Sequence, residues 1–177
     1  MRDYREFYRE AKGDKPRIYC DMDGVLCDFI VQAKKATGVI FTQDKSDEHW
    51  EVIKKYRNFW SNMPWMPGGK QLWRFINNYN PSILSAAVKN NQDPNCKPGK
   101  LRWISGNLKL NNSARINLVN RSQKQDYTMI GHSGKREQAV LIDDYPKNIT
   151  EWTAKGGIGI LHTSASSTIR QLKKIGY

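Results

Sequence analysis

The sequence lacks any long apolar run. None approaches the ~20 residues that a helix needs to span a bilayer, so a helical membrane anchor is excluded. The opening stretch Met1-Arg2-Asp3-Tyr4-Arg5-Glu6 is charged where a signal peptide is apolar, and a cytoplasmic protein is expected. Cysteine is scarce. Cys20, Cys27 and Cys96 are odd in number and show no Cys-x-x-Cys spacing, which argues against a zinc site or a disulfide framework. The three histidines, His49, His132 and His162, have no partner at metal or triad spacing. There is no internal repeat and no low-complexity tract. Acidic residues are outnumbered, with 17 Asp and Glu against 29 Lys and Arg, for a net charge of +12.

That charge sets up a positive field that attracts polyanions or anionic small molecules. The lysines and arginines are spread along the chain, and no zinc finger or RNA-recognition motif stands out. Nucleic acid is one candidate partner. A small phosphorylated substrate is another, since the same field would steer it. With 177 residues, 38% of them hydrophobic, the chain suits one cored domain with a small insertion.

The most informative segment is Ile18-Tyr19-Cys20-Asp21-Met22-Asp23-Gly24-Val25-Leu26. An apolar strand runs into two acids spaced i, i+2, which leave a strand on the same side. Gly24 lets the chain turn sharply beside them. Crowded carboxylates are tolerated when a cation lies between them or one carries a proton, and both conditions suit metal-assisted chemistry. Asp-x-Asp-Gly is also ordinary turn chemistry. An EF-hand is excluded, because its Gly and Glu positions hold Leu26 and Gln32.

Further apolar runs follow at Pro81–Ala87, Ile116–Val119, Val140–Ile142 and Ile158–Leu161. Helices are expected over Asp28 to Gly38, Lys45 to Tyr56, through Leu72 to Ile76, over 99–109, around Thr150 to Ala154, and from about Ser166. Strands alternating with helices imply a parallel sheet covered on both faces, with ligands beyond the carboxyl ends of its strands. The polar residues at those ends are Asp21, Asp23, Ser85, Asp143 and Asp144. Two acidic pairs closing separate strands point to a Mg²⁺ site. Residues 1–16 read as an arm, 17–38 and 70–177 as an α/β core, and 39–69, rich in Trp and Tyr, as a helical cap inserted after the first strand unit.

These parts resemble the haloacid dehalogenase (HAD) superfamily of phosphotransferases. Asp21-Met22-Asp23-Gly24-Val25 matches the first motif and Ile83-Leu84-Ser85 the second. A Lys supplies the third, and Leu141-Ile142-Asp143-Asp144 the fourth, in the family's order across most of the chain. The opening through Phe29, and Phe59-Trp60-Ser61-Asn62-Met63-Pro64-Trp65-Met66-Pro67-Gly68, are similar to the 5'(3')-deoxyribonucleotidase branch. The resemblance implies a Rossmann-like parallel sheet flanked by helices and a Mg²⁺-dependent phosphatase of nucleoside monophosphates. By the same resemblance Asp21 is the nucleophile, Asp23 the acid/base and Ser85 a phosphate donor. Asp21, Asp23 (through its main-chain carbonyl), Asp143 and Asp144 hold the metal. The third-motif lysine is Lys124, with Lys100 as runner-up. Lys89, Lys100 and Arg121 are expected near phosphate, and Phe29, Phe59 and Trp60 near base or sugar, while Trp50 and Tyr56 are read as cap core. Two alternatives stay open: a phosphatase of nucleic-acid ends or sugar phosphates, and an inactive HAD fold that binds nucleic acid.

Overall fold

The apolar runs become five strands of one sheet in the computed structural model, which describes residues 15–38, 41, 46–88, 92–130 and 137–177. They are β1 (Ile18–Cys20), β2 (Ser82–Ala86), β3 (Ile116–Val119), β4 (Val140–Asp143) and β5 (Ile158–Leu161). Their order is β3-β2-β1-β4-β5, with every neighbouring pair parallel. The three central strands are covered on both faces, which explains why they read as apolar runs rather than as alternating patterns. Alternate residues still part to opposite faces. Ile18, Cys20, Ile83, Val140 and Ile142 join the larger core cluster, and Tyr19, Leu84 and Leu141 pack with Trp152 on the other face.

Among the described residues there are six α-helices: α1 (Phe29–Thr37), α2 (Ser46–Ile53), α3 (Gly69–Ile76), α4 (Cys96–Trp103), α5 (Pro146–Ala154) and α6 (Ala165–Lys174). α1 begins where the Asp28 side chain accepts the Val31 N–H at 2.9 Å and ends at Gly38, whose φ of 77° suits glycine. α3 turns Leu72, Trp73 and Ile76 inward and Lys70, Gln71 and Arg74 outward. Two helices start earlier than the sequence suggested. α4 takes in Pro98 and α5 opens on Pro146, because proline in a first turn forfeits only an N–H that has no intrahelical partner. α4 also passes into a π-turn, Ile104–Leu108, and leaves it at Lys109 with φ 54°.

Between α1 and α3 lie α2 and a 3-10 turn, Trp60–Asn62. Their aromatic rings pack on one another. Phe29 meets Phe41, Phe59 and Trp60 at centroid distances of 5.2, 5.6 and 5.7 Å, and Trp50 stacks on Trp60 at 6.1 Å and 17°. The expected amino-terminal arm lies outside the described residues up to position 14, as do Lys89 and His132. Among the described residues no helix is long and apolar enough to cross a membrane.

Candidate active site

β1 is the strand at which the sheet order switches direction, and its carboxyl end opens a crevice, as such sheets require. The strand stops at Cys20, but its hydrogen bonding continues one residue further, where the Asp21 N–H donates to the Ile142 carbonyl at 2.9 Å. The chain then closes a tight loop on Met22. That buried residue's carbonyl accepts from the N–H groups of Val25, Leu26 and Cys27 at 3.2, 2.8 and 2.9 Å. Gly24, at φ 73°, is required twice. Another residue would resist that backbone angle, and a Cβ there would lie 2.0 Å from Asp144 Oδ2.

Asp21, Asp143 and Asp144 bring oxygens within 4.8 Å of one another. Lys124, carried by a 3-10 turn (Arg121–Tyr127) after β3, reaches this cluster and lies 2.7 Å from Asp21 Oδ2 and 2.7 Å from Asp143 Oδ2. Burial alone would push its ammonium pKa down, but Asp21 and Asp143 outweigh that and raise it, so the charge persists. Burial, joined by repulsion from Asp21, raises the Asp143 carboxyl against the pull of Lys124. Asp144 stands at the crevice mouth. The protein beneath it, then Asp21 and Asp143, push its carboxyl up to about 7. Asn148 donates to both Asp143 oxygens at 3.0 Å, and the Tyr145 N–H donates to Oδ1 at 2.9 Å, so the Asp143 rotamer is fixed.

A second lysine holds the other half of the site. Lys100, fully buried on α4, contacts Asp23 Oδ2 at 2.5 Å, Ser85 Oγ at 3.0 Å and the Ala86 carbonyl at 2.6 Å. Burial opposes its charge, and Asp23 more than restores it. The two lysines thus divide the carboxylates, Lys124 to Asp21 and Asp143 and Lys100 to Asp23. The thiols of Cys20 and Cys27 are pushed well up by burial, which keeps them protonated and unsuited to nucleophilic attack.

Beside the acids lies a crevice of about 470 Å³, walled by Phe29, Ile30, Val31 and Met66. Ile30 and Val31 are 46% and 52% exposed there. Phe59 and Trp60 lie behind this wall, packed on Phe29, with the Lys100 ammonium 5.2 Å from the Trp60 ring centroid. At 1% and 2% exposure they are core residues, and the Trp60 indole N–H is committed to Asp93 at 2.7 Å. No open ring face is left on either for a base. Tyr56, read as cap core, is instead 49% exposed. Arg121 pairs with Glu151 at 2.7 Å and reaches Asn148 at 3.0 Å, one residue away from the acidic cluster. Phe29, expected near base or sugar, lines the apolar wall, whereas the sequence reasoning missed Asn148 and the rest of the wall. Asn148 sits five residues past Asp143 in a first helical turn, and Ile30, Val31 and Met66 look like ordinary core residues in sequence.

No protein-family model matches the chain, nor does any curated protein. Solved structures do match its fold. A hydrolase from Streptococcus pneumoniae aligns over 92% of this chain and 100% of its own, with TM-score 0.54 and 16% identity. A haloacid dehalogenase-like family hydrolase from the same organism aligns over 89% and 90%, with TM-score 0.51 and 13% identity. A HAD family hydrolase from Deinococcus radiodurans, solved with bound phosphate and sodium, aligns over 92% and 97%, with TM-score 0.51 and 11% identity. The fold is therefore the HAD-type α/β sheet flanked by helices, and the acidic cluster stands at the carboxyl ends of its strands.

Proposed function

We propose that this chain is a Mg²⁺-dependent phosphomonoesterase of the HAD class, acting as a 5'-nucleotidase on (deoxy)nucleoside monophosphates. The observation that carries the reading is the cluster of Asp21, Asp143 and Asp144, bridged by the single buried ammonium of Lys124. Burial, and then the excess negative charge of three carboxylates against one lysine, push the Asp144 carboxyl up to about 7. An all-oxygen donor set of this kind fits a hard dication. Asp21, Asp143 and Asp144 would hold it, with the Asp23 main-chain carbonyl. When bound, Mg²⁺ offsets the repulsion between the Asp21 carboxylate and an incoming phosphate. That the Deinococcus protein of similar fold was solved with bound phosphate and sodium is in keeping with a phosphate and a cation as ligands of this fold.

Asp21 attacks phosphorus, forming an aspartyl-phosphate as the bond to the leaving oxygen breaks. Asp23 gives that oxygen a proton, then takes one from the water that hydrolyses the intermediate and restores the Asp21 carboxylate. Ser85 donates its hydroxyl to a phosphate oxygen. Lys100, on Asp23 and Ser85 in the free chain, turns its ammonium towards the phosphate as Asp23 takes up its proton. The wall of Phe29, Ile30, Val31 and Met66 receives the sugar and base, and its crevice of about 470 Å³ is within the usual range for small ligands. Segment 39–69 is the cap in this reading, with Phe59 and Trp60 as its core.

A panel of mononucleotides and simple phosphomonoesters, assayed with Mg²⁺ and with a chelator, tests the proposal. Mg²⁺-dependent phosphate release, fastest from 5'-mononucleotides, is expected. No release from any phosphomonoester would sink it.

A further inference from the structure

A second depression shares with the crevice the loop that precedes α3, Trp65 lining the one and Met66 the other. It has a volume of about 520 Å³ and is lined by Trp65, Lys70, Trp73, Arg74, Asn107 and Lys109, among others. Three of these side chains are cationic and none of the lining residues is acidic. Among the described residues, none of the three cations has a carboxylate within ion-pair distance. The aromatic wall is half-buried at Trp65, whose indole N–H donates to Asn107 Oδ1 at 3.0 Å. The Lys70 ammonium lies over the Trp65 ring at 5.8 Å. Trp65 is tied to the catalytic loop by a bridge to Cys27, and its neighbour Met66 lines the crevice. One short loop therefore carries the wall of both cavities.

The backbone beneath the depression is also unusual. Gly106, Asn107 and Leu108 belong to the π-turn, and Lys109 is one of only two non-glycine residues with positive φ among the described residues. π-turns and left-handed non-glycine residues cost free energy and cluster at functional sites. Here they bring Asn107 and Lys109 to the rim of a cationic, tryptophan-walled cavity.

We infer that this depression binds the nucleotides next to the reacting terminal phosphate of a single-stranded nucleic acid, so that phosphorylated strand ends are substrates alongside mononucleotides. The inference rests on the phosphatase reading of the neighbouring crevice. Lys70, Arg74 and Lys109 neutralise backbone phosphates, and Trp65 gives a base a ring to stack on once the Lys70 ammonium swings to a phosphate. Cations interleaved with aromatic rings and lacking acids are the common design of single-strand grooves. A protein or lipid partner would give the cations carboxylates or headgroups to meet but would leave the tryptophan wall and its link to the crevice unexplained.

The test uses the Arg74→Ala/Lys109→Ala double variant. The control is Lys55→Ala/Arg57→Ala, which removes equal charge from a different depression. Binding of a phosphorylated oligodeoxynucleotide is measured by fluorescence anisotropy in an Asp21→Asn background, across a salt series. Turnover of the oligonucleotide and of a mononucleotide is measured in the parent background. The first pair should weaken oligonucleotide binding about tenfold and flatten the log-log salt slope by about 1.4, as expected for two lost contacts to a single strand. Mononucleotide turnover should stay unchanged. Oligonucleotide binding and turnover equal to the parent's would overturn the inference. So would a loss no larger than the control's, or an equal fall with the mononucleotide. The anisotropy readout does not need catalysis, so failure of the phosphatase reading is seen separately, as absent turnover in the parent.

Discussion

At the scale of single residues, the site depends on how its charges are shared. Lys124 is 2% exposed and is the only ammonium reaching Asp21 and Asp143 among the described residues. Lys124→Met leaves two buried carboxylates without their counter-charge, and breaking a buried pair this way costs about 3–5 kcal/mol. Denaturant unfolding in chelator should show a loss of that order, part of which is regained with Mg²⁺, since a ligand for the folded state stabilises it. An unchanged midpoint would refute the sharing. Gly24→Ala places a methyl group against the Asp144 carboxylate. Turnover should fall on the order of 10²-fold, the scale of a misplaced active-site group, with the fold retained by circular dichroism. His162 offers a pH test. Burial lowers its pKa below the ordinary value, and its Nδ1 sits 2.8 Å from the Thr168 hydroxyl. The unfolded chain therefore takes up this proton at higher pH than the folded one. The stability contribution is complete above about pH 6.5 and is lost as pH falls towards the depressed folded value. His162→Gln should narrow the Tm difference between about pH 7.5 and pH 5.5, and an unchanged difference would remove this residue from the account.

At the scale of elements, Gly99 decides how α4 meets the 3-10 turn at Trp60. A Cβ there would lie 2.5 Å from the Trp60 Cβ. Gly99→Ala should destabilise the fold by about 1–3 kcal/mol, the usual cost of overpacking, measured by denaturant unfolding. A neutral result would mean the turn can yield. The strands were legible in the sequence because apolar runs such as Val140–Ile142 sit in a sheet covered on both faces, and Asp21 and Asp143 followed from their places at strand ends. The helix starts at Cys96 and Pro146 were not legible, because proline reads as loop until its place in a first turn is known. Nor was the division of labour between the two lysines. Lys100 and Lys124 come from different elements, and only their convergence from α4 and from the 3-10 turn after β3 separates them from the other basic residues. The aromatic-rich segment misled for a related reason. Composition shows that Phe59 and Trp60 are flat and apolar but not that they are buried edge to face, and of the expected aromatics only Phe29 lines the crevice, beside Ile30 and Val31.

For the whole molecule, the net charge of +12 now has a distribution. Two cations are buried among the carboxylates of the crevice, and others line depressions that hold no acid. The field should draw phosphorylated substrates to the crevice. kcat/KM for a mononucleotide should therefore fall as salt rises, while kcat changes little, because screening acts on encounter rather than on the bound complex. If this fold aims Asp21 at phosphorus, the steady-state turnover of Asp21→Asn with Mg²⁺ on the best mononucleotide should fall on the order of 10⁴-fold or more, as for removal of a nucleophile, with the wild-type circular dichroism spectrum retained. Wild-type turnover by a folded Asp21→Asn protein would contradict that role of Asp21.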